Sequence, residues 1–149
     1  LLEILKEQGK LHLVDEIVYH PYSYNPDSSY AKVAELREVV GSYSDTITIR
    51  QNENGAPSQP GSFGALAKHD WTEEYQADYL DVLCRRVVED DRIAGVSIWQ
   101  YCDCRTAASR ALERPRIFNN KGTLDEYRRP KMAYARVKAR FAGGLRKEA

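Results

Sequence analysis

Three short polar segments of the sequence hold the side chains that could carry out chemistry, and the middle one contains a carboxylate between two amides. Glu53 stands between Asn52 and Asn54 in a polar loop with Gly and Pro at residues 51–64. A carboxylate among amides and aromatic residues suits sugar chemistry, because an oxocarbenium-like transition state needs a nearby anion and sugar hydroxyls need directional hydrogen bonds beside an aromatic platform. The structural alternative is that Glu53 and Asn54-Gly55 form a solvated turn. The other two segments contribute His20, Tyr22, Trp99, Asn119 and Lys121.

Each of these segments follows a stretch with the composition of a β-strand. Apolar and β-branched residues predict strands at 11–19, 46–50 and 93–101. The third stretch is apolar enough, at Ile93, Val96 and Ile98, to be covered on both sides. A long polar loop is predicted at residues 103–129.

Helical patterns alternate with these strands. Residues 1–8 are read as the last turns of a helix, and Ser28 or Ser29 caps a helix that runs to about residue 40 with Val33, Leu36 and Val40 facing inward. Asp70 with Glu73 forms a capping box for a helix to about residue 90, whose inward face is Tyr75, Tyr79, Leu83 and Val87. The closing helix has Pro130 at its first position and ends at Gly143-Gly144.

The order of one helix followed by three strand–helix units predicts an α/β fold with parallel strands, right-handed crossovers and outer helices. In such folds the active site gathers at the carboxyl ends of the strands. All three polar segments fall at those ends, so we expect them to lie close together.

Composition narrows the possible partners. The 149 residues contain 22 Lys plus Arg against 22 Asp plus Glu, so we expect neither a nucleic-acid nor a membrane partner. No apolar run reaches the ~18 residues of a membrane span, and residues 1–10 lack a secretory pattern, so the chain as given is expected to be soluble although a leader could have been removed. Localisation stays unknown. Cys84, Cys102 and Cys104 contain no CxxC pair, which indicates reduced packing residues and no metal site.

Several separate motifs resemble those of glycoside hydrolase family 2, especially its β-glucuronidases. Residues 51–56 and 71–76 look like the Glu-x-Gly-Ala and Ser-Glu-Glu-Tyr-Gln pair of that family. Residues 95–103, followed by Arg105-Thr106, resemble its last strand, and residues 119–122 and 129–133 resemble its closing segment. The resemblance covers residues 51–141. Residues 14–22 are more like the sixth strand of other clan A barrel glycosidases, such as family 39.

This resemblance implies that residues 1–149 are the C-terminal half of a (β/α)8 barrel, a single incomplete domain with the sixth to eighth strands. It implies a retaining glycoside hydrolase that acts on a carbohydrate substrate without a cofactor. Glu53 takes the place of the nucleophile, just past the strand at 46–50, and the general acid lies in a missing N-terminal half. That missing half, or self-association, is the expected partner, because three strands leave two unpaired edges.

The resemblance also assigns the substrate-binding residues. Trp99 matches the aromatic floor under the sugar, and Asn119 with Lys121 matches the Asn-x-Lys motif that holds the carboxylate of a uronic acid. His20 and Tyr22 could donate to sugar hydroxyls or to Glu53, and Asn52 is placed in the same site. A core position for Trp99, a solubility role for Asn119 and Lys121, and a capping or packing role for the loop at His20 stay open. Residues 107–116 differ from the family pattern.

Two other classes of function compete with this interpretation. A non-catalytic carbohydrate-binding or assembly module could keep the half-barrel fold without a complete active site. A nucleotide-binding unit would need a glycine-rich phosphate loop, and the sequence contains neither GxGxxG nor GxxxxGK. The sugar, the linkage and the choice between exo and endo action are not predicted.

Overall fold

A three-stranded parallel sheet with helices on one face forms the framework of the chain. The computed structural model describes residues 1–64 and 71–143. The sheet has the order β1-β2-β3, in which Ile17 lies opposite Ile49 and Gln51 opposite Val96. The strands are β1 (Glu16–Tyr19), β2 (Thr48–Asn54) and β3 (Ile93–Ile98). The α-helices are α1 (Leu2–Glu7), α2 (Pro26–Gly41), α3 (Glu73–Glu89) and α4 (Met132–Ala142). The predicted α/β class with parallel strands is confirmed.

Helix α2 begins earlier than Ser28 or Ser29, because a stronger cap precedes them. The side chain of Asn25 accepts hydrogen bonds from the backbone N–H groups of Asp27 (2.8 Å) and Ser28 (3.2 Å), and Pro26 occupies the first helical position. Ser29 is instead buried inside the helix, where its hydroxyl donates to the carbonyl of Pro21 at 2.7 Å. The serine predicted as a cap therefore ties the loop after β1 to the helix.

Helices α3 and α4 also differ from the prediction at their first turns. The hydroxyl of Thr72 caps α3 by accepting from the backbone N–H of Tyr75 at 3.2 Å, while the predicted cap Asp70 lies outside the described residues. Helix α4 begins at Met132, because Pro130 bridges to Leu124 and the backbone N–H of Lys131 donates to Thr123 at 3.0 Å. Gly143 ends α4 as predicted, and Gly144 lies outside the described residues.

Two hydrophobic clusters fill the space between the sheet and the helices. Residues of α3 and α4 form the first, including Tyr75, Tyr79, Leu80, Leu83 and Ala133. Residues of α2, the strands and the end of α3 form the second, including Val33, Val40, Ile49, Val87 and Ile93. The inward faces predicted for α2 and α3 are confirmed, since Leu36 packs against the second cluster and the other six side chains are buried.

Within residues 1–64 and 71–143, no helix covers the opposite face of the sheet. Val18 is 51% exposed and Trp99 40% exposed, and Ala94 and Ser97 are also exposed. The prediction that residues 93–101 are covered on both sides is therefore wrong for this chain. An ion pair between Arg50 and Glu16 (2.8 Å) lies between β2 and β1.

The strands also begin and end at residues other than those predicted. Residues 11–13 form a 3-10 turn, so β1 begins only at Glu16, where it pairs with Thr48. Strand β2 continues to Asn54, which pairs with Ile98, so Glu53 lies within the strand and not after it. The loop predicted at 103–129 contains a short antiparallel pair, β4 (Cys104–Arg105) and β5 (Phe118–Asn119), and two further 3-10 turns (Ala108–Glu113 and Pro115–Ile117).

The three cysteines differ in their exposure to solvent. Cys84 is buried, and burial raises the pKa of its thiol to about 11. Cys104 is exposed, so the prediction of a packing role is wrong for that residue. Among the helices of the described ranges, none combines the length and the apolar character that a membrane crossing requires.

Candidate active site

The carboxylate of Glu53 lies at the carboxyl end of the sheet, beside the loop that follows β1. The hydroxyl of Tyr22 donates a hydrogen bond to Oε2 of Glu53 at 3.2 Å, and Nδ1 of His20 lies 3.7 Å from the same oxygen. The side chain of Glu53 is 31% exposed, so it is partly withdrawn from water and still accessible. Three of the residues predicted for the site are thus in one place.

The loop that carries Tyr22 is held by the start of α2. The carbonyl of the buried Pro21 accepts from Ser29, and the carbonyl of Tyr22 accepts from the ammonium group of Lys32 at 2.7 Å. The backbone N–H of Tyr22 donates to the carbonyl of His20 at 2.9 Å. These bonds fix the backbone on both sides of Tyr22 and so fix the direction from which it approaches Glu53.

A buried polar network holds the end of β2 next to Glu53. The amide of Asn54 donates to the hydroxyl of Ser29 at 2.7 Å and to the side-chain oxygen of Gln51 at 2.9 Å, and its own oxygen accepts from Tyr79 at 2.9 Å. All four side chains are fully buried. Both polar atoms of the Asn54 side chain are thus paired, whereas the side-chain nitrogen of Gln51 is buried without a hydrogen-bond partner among the described residues. The network anchors Asn54 beneath the helices while the neighbouring Glu53 stays accessible.

Gly55 allows β2 and β3 to approach each other just beyond Glu53. The backbone N–H of Trp99 donates to the carbonyl of Asn54 at 2.8 Å, and a Cβ added at Gly55 would collide with the carbonyl oxygen of Trp99. Only glycine has room for this contact. The glycine of the Glu-x-Gly-Ala motif is therefore required by the packing of Trp99.

Gln76 of α3 joins the loop after β2 to the loop that carries Lys121. Its side-chain amide donates to the carbonyls of Ala56 (2.9 Å) and Gly122 (3.0 Å), and its oxygen accepts from the hydroxyl of Ser58 at 2.8 Å. Gln76 is fully buried. The last glutamine of the second sequence motif thus connects two site loops.

A buried ion pair between Lys131 and Asp103 also joins the loop after β2 to the loop that carries Lys121. The ammonium group of Lys131 lies 3.0 Å from Asp103 and donates to the carbonyls of Ser58 and Asn120, both at 3.2 Å. Asp103 also accepts from the backbone N–H of Gly122 at 2.9 Å. Burial raises the pKa of Asp103 and lowers that of Lys131, while their mutual attraction opposes both shifts. The number of acceptors around the Lys131 nitrogen favours the charged pair.

A cleft of about 470 Å³ opens beside Tyr22. Lys121 lies over the Tyr22 ring, with its nitrogen 5.3 Å from the ring centre. Burial, together with the nearby Arg114, lowers the pKa of Lys121 to about 8, and Glu53 acts in the opposite direction. Burial and the charge of Glu53 raise the pKa of Tyr22 well above its usual range, so Tyr22 stays a proton donor. Further lining residues are Tyr24, Gly55, Trp71, Tyr75 and Arg114.

The remaining predicted residues take different positions. Trp99 is at the same end of the sheet, and its ring is partly exposed. The side-chain oxygen of Asn119 accepts from the backbone N–H of Lys121 at 3.3 Å, so that oxygen stabilises the turn. Asn52 is exposed on β2.

Sequence reasoning missed the cleft-lining role of Arg114 and the supporting role of Ser29. Arg114 lies in the segment 107–116, which departs from the family pattern, and only the folded chain brings it to the cleft. Ser29 was assigned to a helix cap. A capping assignment to Asn25, which precedes Pro26, would have left Ser29 available for the buried network.

No protein-family model matches the sequence, and a search of curated proteins found no match. Among solved structures, a GH2 β-galacturonidase from Eisenbergiella tayi bound to galacturonate is 33% identical with a TM-score of 0.75, over 87% of this chain and 24% of that chain. A Bifidobacterium dentium β-glucuronidase is 22% identical with a TM-score of 0.74, over 89% of this chain and 22% of that chain.

A Ruminococcus gnavus β-glucuronidase is 21% identical with a TM-score of 0.74, over 89% of this chain and 23% of that chain. The two likenesses near 20% identity concern the fold alone, whereas the galacturonidase is similar in sequence as well. The chain spans about a quarter of the length of these proteins. Over the part of these proteins that it covers, the chain is similar in sequence and fold to the GH2 β-galacturonidase and similar in fold to the two β-glucuronidases.

Proposed function

We propose that this chain supplies the nucleophile and part of the sugar-binding site of a retaining glycoside hydrolase. The observation that carries the proposal is the carboxylate of Glu53, which lies at the end of β2 with Tyr22 bonded to one oxygen and His20 close to the same oxygen. The structural neighbours described above are glycosidases, which supports the same class of reaction.

In the proposed reaction the second carboxylate oxygen, Oε1 of Glu53, attacks the anomeric carbon. A glycosyl ester forms as the bond to the leaving oxygen breaks, and a general acid gives its proton to that oxygen. Water then hydrolyses the ester, and the same acid group removes a proton from the water. Retention requires the two carboxyl groups to be ~5–5.5 Å apart. We assign the general acid to a part of the protein outside this chain.

The positions of the strands in a complete barrel are also part of the proposal. We take β1, β2 and β3 as the sixth, seventh and eighth strands, so that Glu53 is the penultimate residue of the seventh. Two apolar grooves support this arrangement, since they lie at opposite edges of the sheet. One, of about 490 Å³, is lined by Val14, Ile17 and Val18 beside β1. The other, of about 710 Å³, lies between β3 and α4 and includes Ile98 and Phe141.

We assign both grooves to the other strands and helices of the same barrel. A (β/α)8 barrel has no free edges, and ~250 residues are needed to close it. The chain spans about a quarter of its structural neighbours, which leaves ample sequence for the remaining strands. Pairing of two copies of this chain through the same grooves is the competing arrangement.

We propose a uronic acid glycoside as the substrate. Lys121 places an ammonium group in the cleft beside Tyr22 and Glu53, where a sugar carboxylate can reach it. Trp99 is assigned as the platform under the sugar ring. The galacturonidase that the chain resembles was solved with galacturonate bound, which is consistent with an acidic sugar. We assign hydroxyl contacts to His20, Asn52 and Asn119.

The test is an assay of aryl glycosides with the longest form of the protein that carries this chain. The panel contains a glucuronide, a galacturonide, a galactoside and a xyloside. We expect Glu53→Gln to abolish turnover without loss of folding, because the amide has nearly the same shape but cannot form the ester. Glu38→Gln is a matched control, since Glu38 is a largely exposed glutamate on α2.

Turnover that survives in Glu53→Gln would contradict the assignment of the nucleophile. Sugar binding without turnover, in a form that contains the rest of the barrel, would instead support the non-catalytic carbohydrate-binding module.

A further inference from the structure

Two cations line the cleft beside Glu53, and only one of them belongs to a sequence motif. Lys121 and Arg114 both face this cleft. In residues 1–64 and 71–143, no carboxylate oxygen lies within ion-pair distance of either side chain. Glu113 also lines the cleft, but it is exposed. In the described part of the cleft, neither cationic group therefore forms an ion pair with a carboxylate.

The two cations repel each other across the cleft. Burial is the largest cause of the lowered pKa of Lys121, and the charge of Arg114 is the second. The charge of Glu53 acts in the opposite direction and is a smaller cause. Like charges in a partly buried site raise the free energy of the empty cleft, and an anion bound between them removes that repulsion. The pair thus favours a ligand with a carboxylate over a neutral ligand of the same shape.

Arg114 is held by a structured segment and not by a free loop. The β4–β5 hairpin closes the segment, since Arg105 pairs with Phe118. Directly after Arg114, the carbonyl of Pro115 accepts from the side chain of Asn120 at 3.0 Å. The guanidinium group of Arg116 then donates to Asn120 at 2.8 Å and to Glu126 at 2.7 Å. These bonds fix the chain immediately beyond Arg114.

We propose that Arg114 is a second cationic donor to the carboxylate of an acidic sugar, beside Lys121, and determines the preference for uronides over neutral glycosides. The inference rests on the proposed function, and it goes beyond the Asn-x-Lys motif because Arg114 lies in the segment 107–116 that departs from the family pattern. An arginine can hold a carboxylate through two parallel N–H groups, which a lysine cannot do. The acidic sugar would therefore be oriented as well as attracted.

The experiment compares Arg114→Gln, Arg114→Lys and the control Arg110→Gln in the longest form of the protein that carries this chain. Arg110 is an exposed arginine of the same segment and is not among the residues that line the cleft. The first readout is kcat/KM for an aryl glucuronide or galacturonide divided by kcat/KM for the matching neutral glycoside. The second is the Kd of free glucuronate and galacturonate, measured by calorimetry against glucose and galactose.

We expect Arg114→Gln to lower the uronide preference by ~10–100-fold, as for loss of a hydrogen bond to a charged group. Arg114→Lys should recover part of the preference, and Arg110→Gln should change it by less than ~2-fold. The pH at which uronide binding is lost should also move upward in Arg114→Gln, because Lys121 then has one cation fewer beside it. A residue that only supports the loop would not shift that pH.

Equal losses on acidic and neutral ligands, or an unchanged preference, would overturn the role of Arg114. These outcomes can be separated from failure of the proposed function. If Glu53→Gln retains full turnover, the nucleophile assignment fails while the preference ratio still decides Arg114. If no glycoside is turned over, the difference in Kd between uronate and neutral sugar decides it alone.

Discussion

Replacement of Lys131 by Met should destabilise the protein more than replacement of any exposed cation. The ammonium group of Lys131 lies in a buried site, where its side chain is 2% exposed and that of Asp103 is 0% exposed. The change leaves the charge of Asp103 without its main partner, and it removes a donor from the carbonyls of Ser58 and Asn120. Arg116 remains near Asp103, but at 3.4 Å and at a more exposed position.

The expected size follows from this burial. Removal of one partner from a buried ion pair costs about 3–5 kcal/mol, whereas an exposed pair contributes about 0–1 kcal/mol. At roughly 2–4 °C per kcal/mol for a domain of this size, Lys131→Met should lower Tm by ~6–20 °C. Arg129→Met is the matched control: it breaks a pair with Asp125, but the arginine side chain is 70% exposed, so Tm should fall by less than ~4 °C.

The assay is thermal denaturation followed by circular dichroism, in the longest form of the protein that carries this chain. A second variant tests the cause. Asp103→Asn keeps an oxygen for the backbone N–H of Gly122 but removes the buried charge. In the Lys131→Met background it should therefore recover at least ~1 kcal/mol, or ~2–4 °C. Equal effects of Lys131→Met and Arg129→Met, or additive losses in the double variant, would refute this reasoning.

Three further predictions follow from the site. The pKa of Lys121 is lowered to about 8, so its charged fraction falls from about nine-tenths at pH 7 to about one-tenth at pH 9. The ratio of kcat/KM for uronides to kcat/KM for neutral glycosides should therefore fall ~10-fold between pH 7 and pH 9. Gly55→Ala should lower the free energy of unfolding by ~1–3 kcal/mol and lower kcat, because the added Cβ displaces Trp99. The control Gly41→Ala places its Cβ in open space, so thermal denaturation should show a neutral or slightly stabilising effect. The chain of residues 1–149 alone should self-associate in light scattering and show no turnover that Glu53→Gln abolishes; a monomer, or such turnover, would contradict the half-barrel proposal.

The proximity of His20, Tyr22 and Glu53 was predictable from the sequence, because each lies at or near the carboxyl end of a predicted parallel strand. That rule needs only the order of the elements and not their exact limits. The inward faces of α2 and α3 were predictable for a similar reason, since a helical period places Val33 and Val40 on one side whatever the cap.

The details that depend on tertiary contacts were not predictable. Residues 51–54 are polar and resemble a loop, yet β2 continues through them because the side-chain amide of Asn54 is bonded to Ser29, Gln51 and Tyr79 in a buried network. Pro130 fits the first turn of a helix by its own preference. The helix begins later because the backbone N–H of Lys131 donates to the carbonyl of Thr123, a contact that the local sequence does not reveal.

The most direct test of the central claim is covalent trapping of the nucleophile. The longest form of the protein would be treated with 2-deoxy-2-fluoro glycosyl fluorides of a uronic acid and of a neutral sugar, then digested and examined by mass spectrometry. The fluorine slows both steps and the good leaving group preserves the first, so the glycosyl ester accumulates. We predict one added sugar on Glu53, within the peptide that contains residues 51–56, and no label in Glu53→Gln. Inactivation with the label on any other carboxylate would contradict the assignment of Glu53 as the nucleophile.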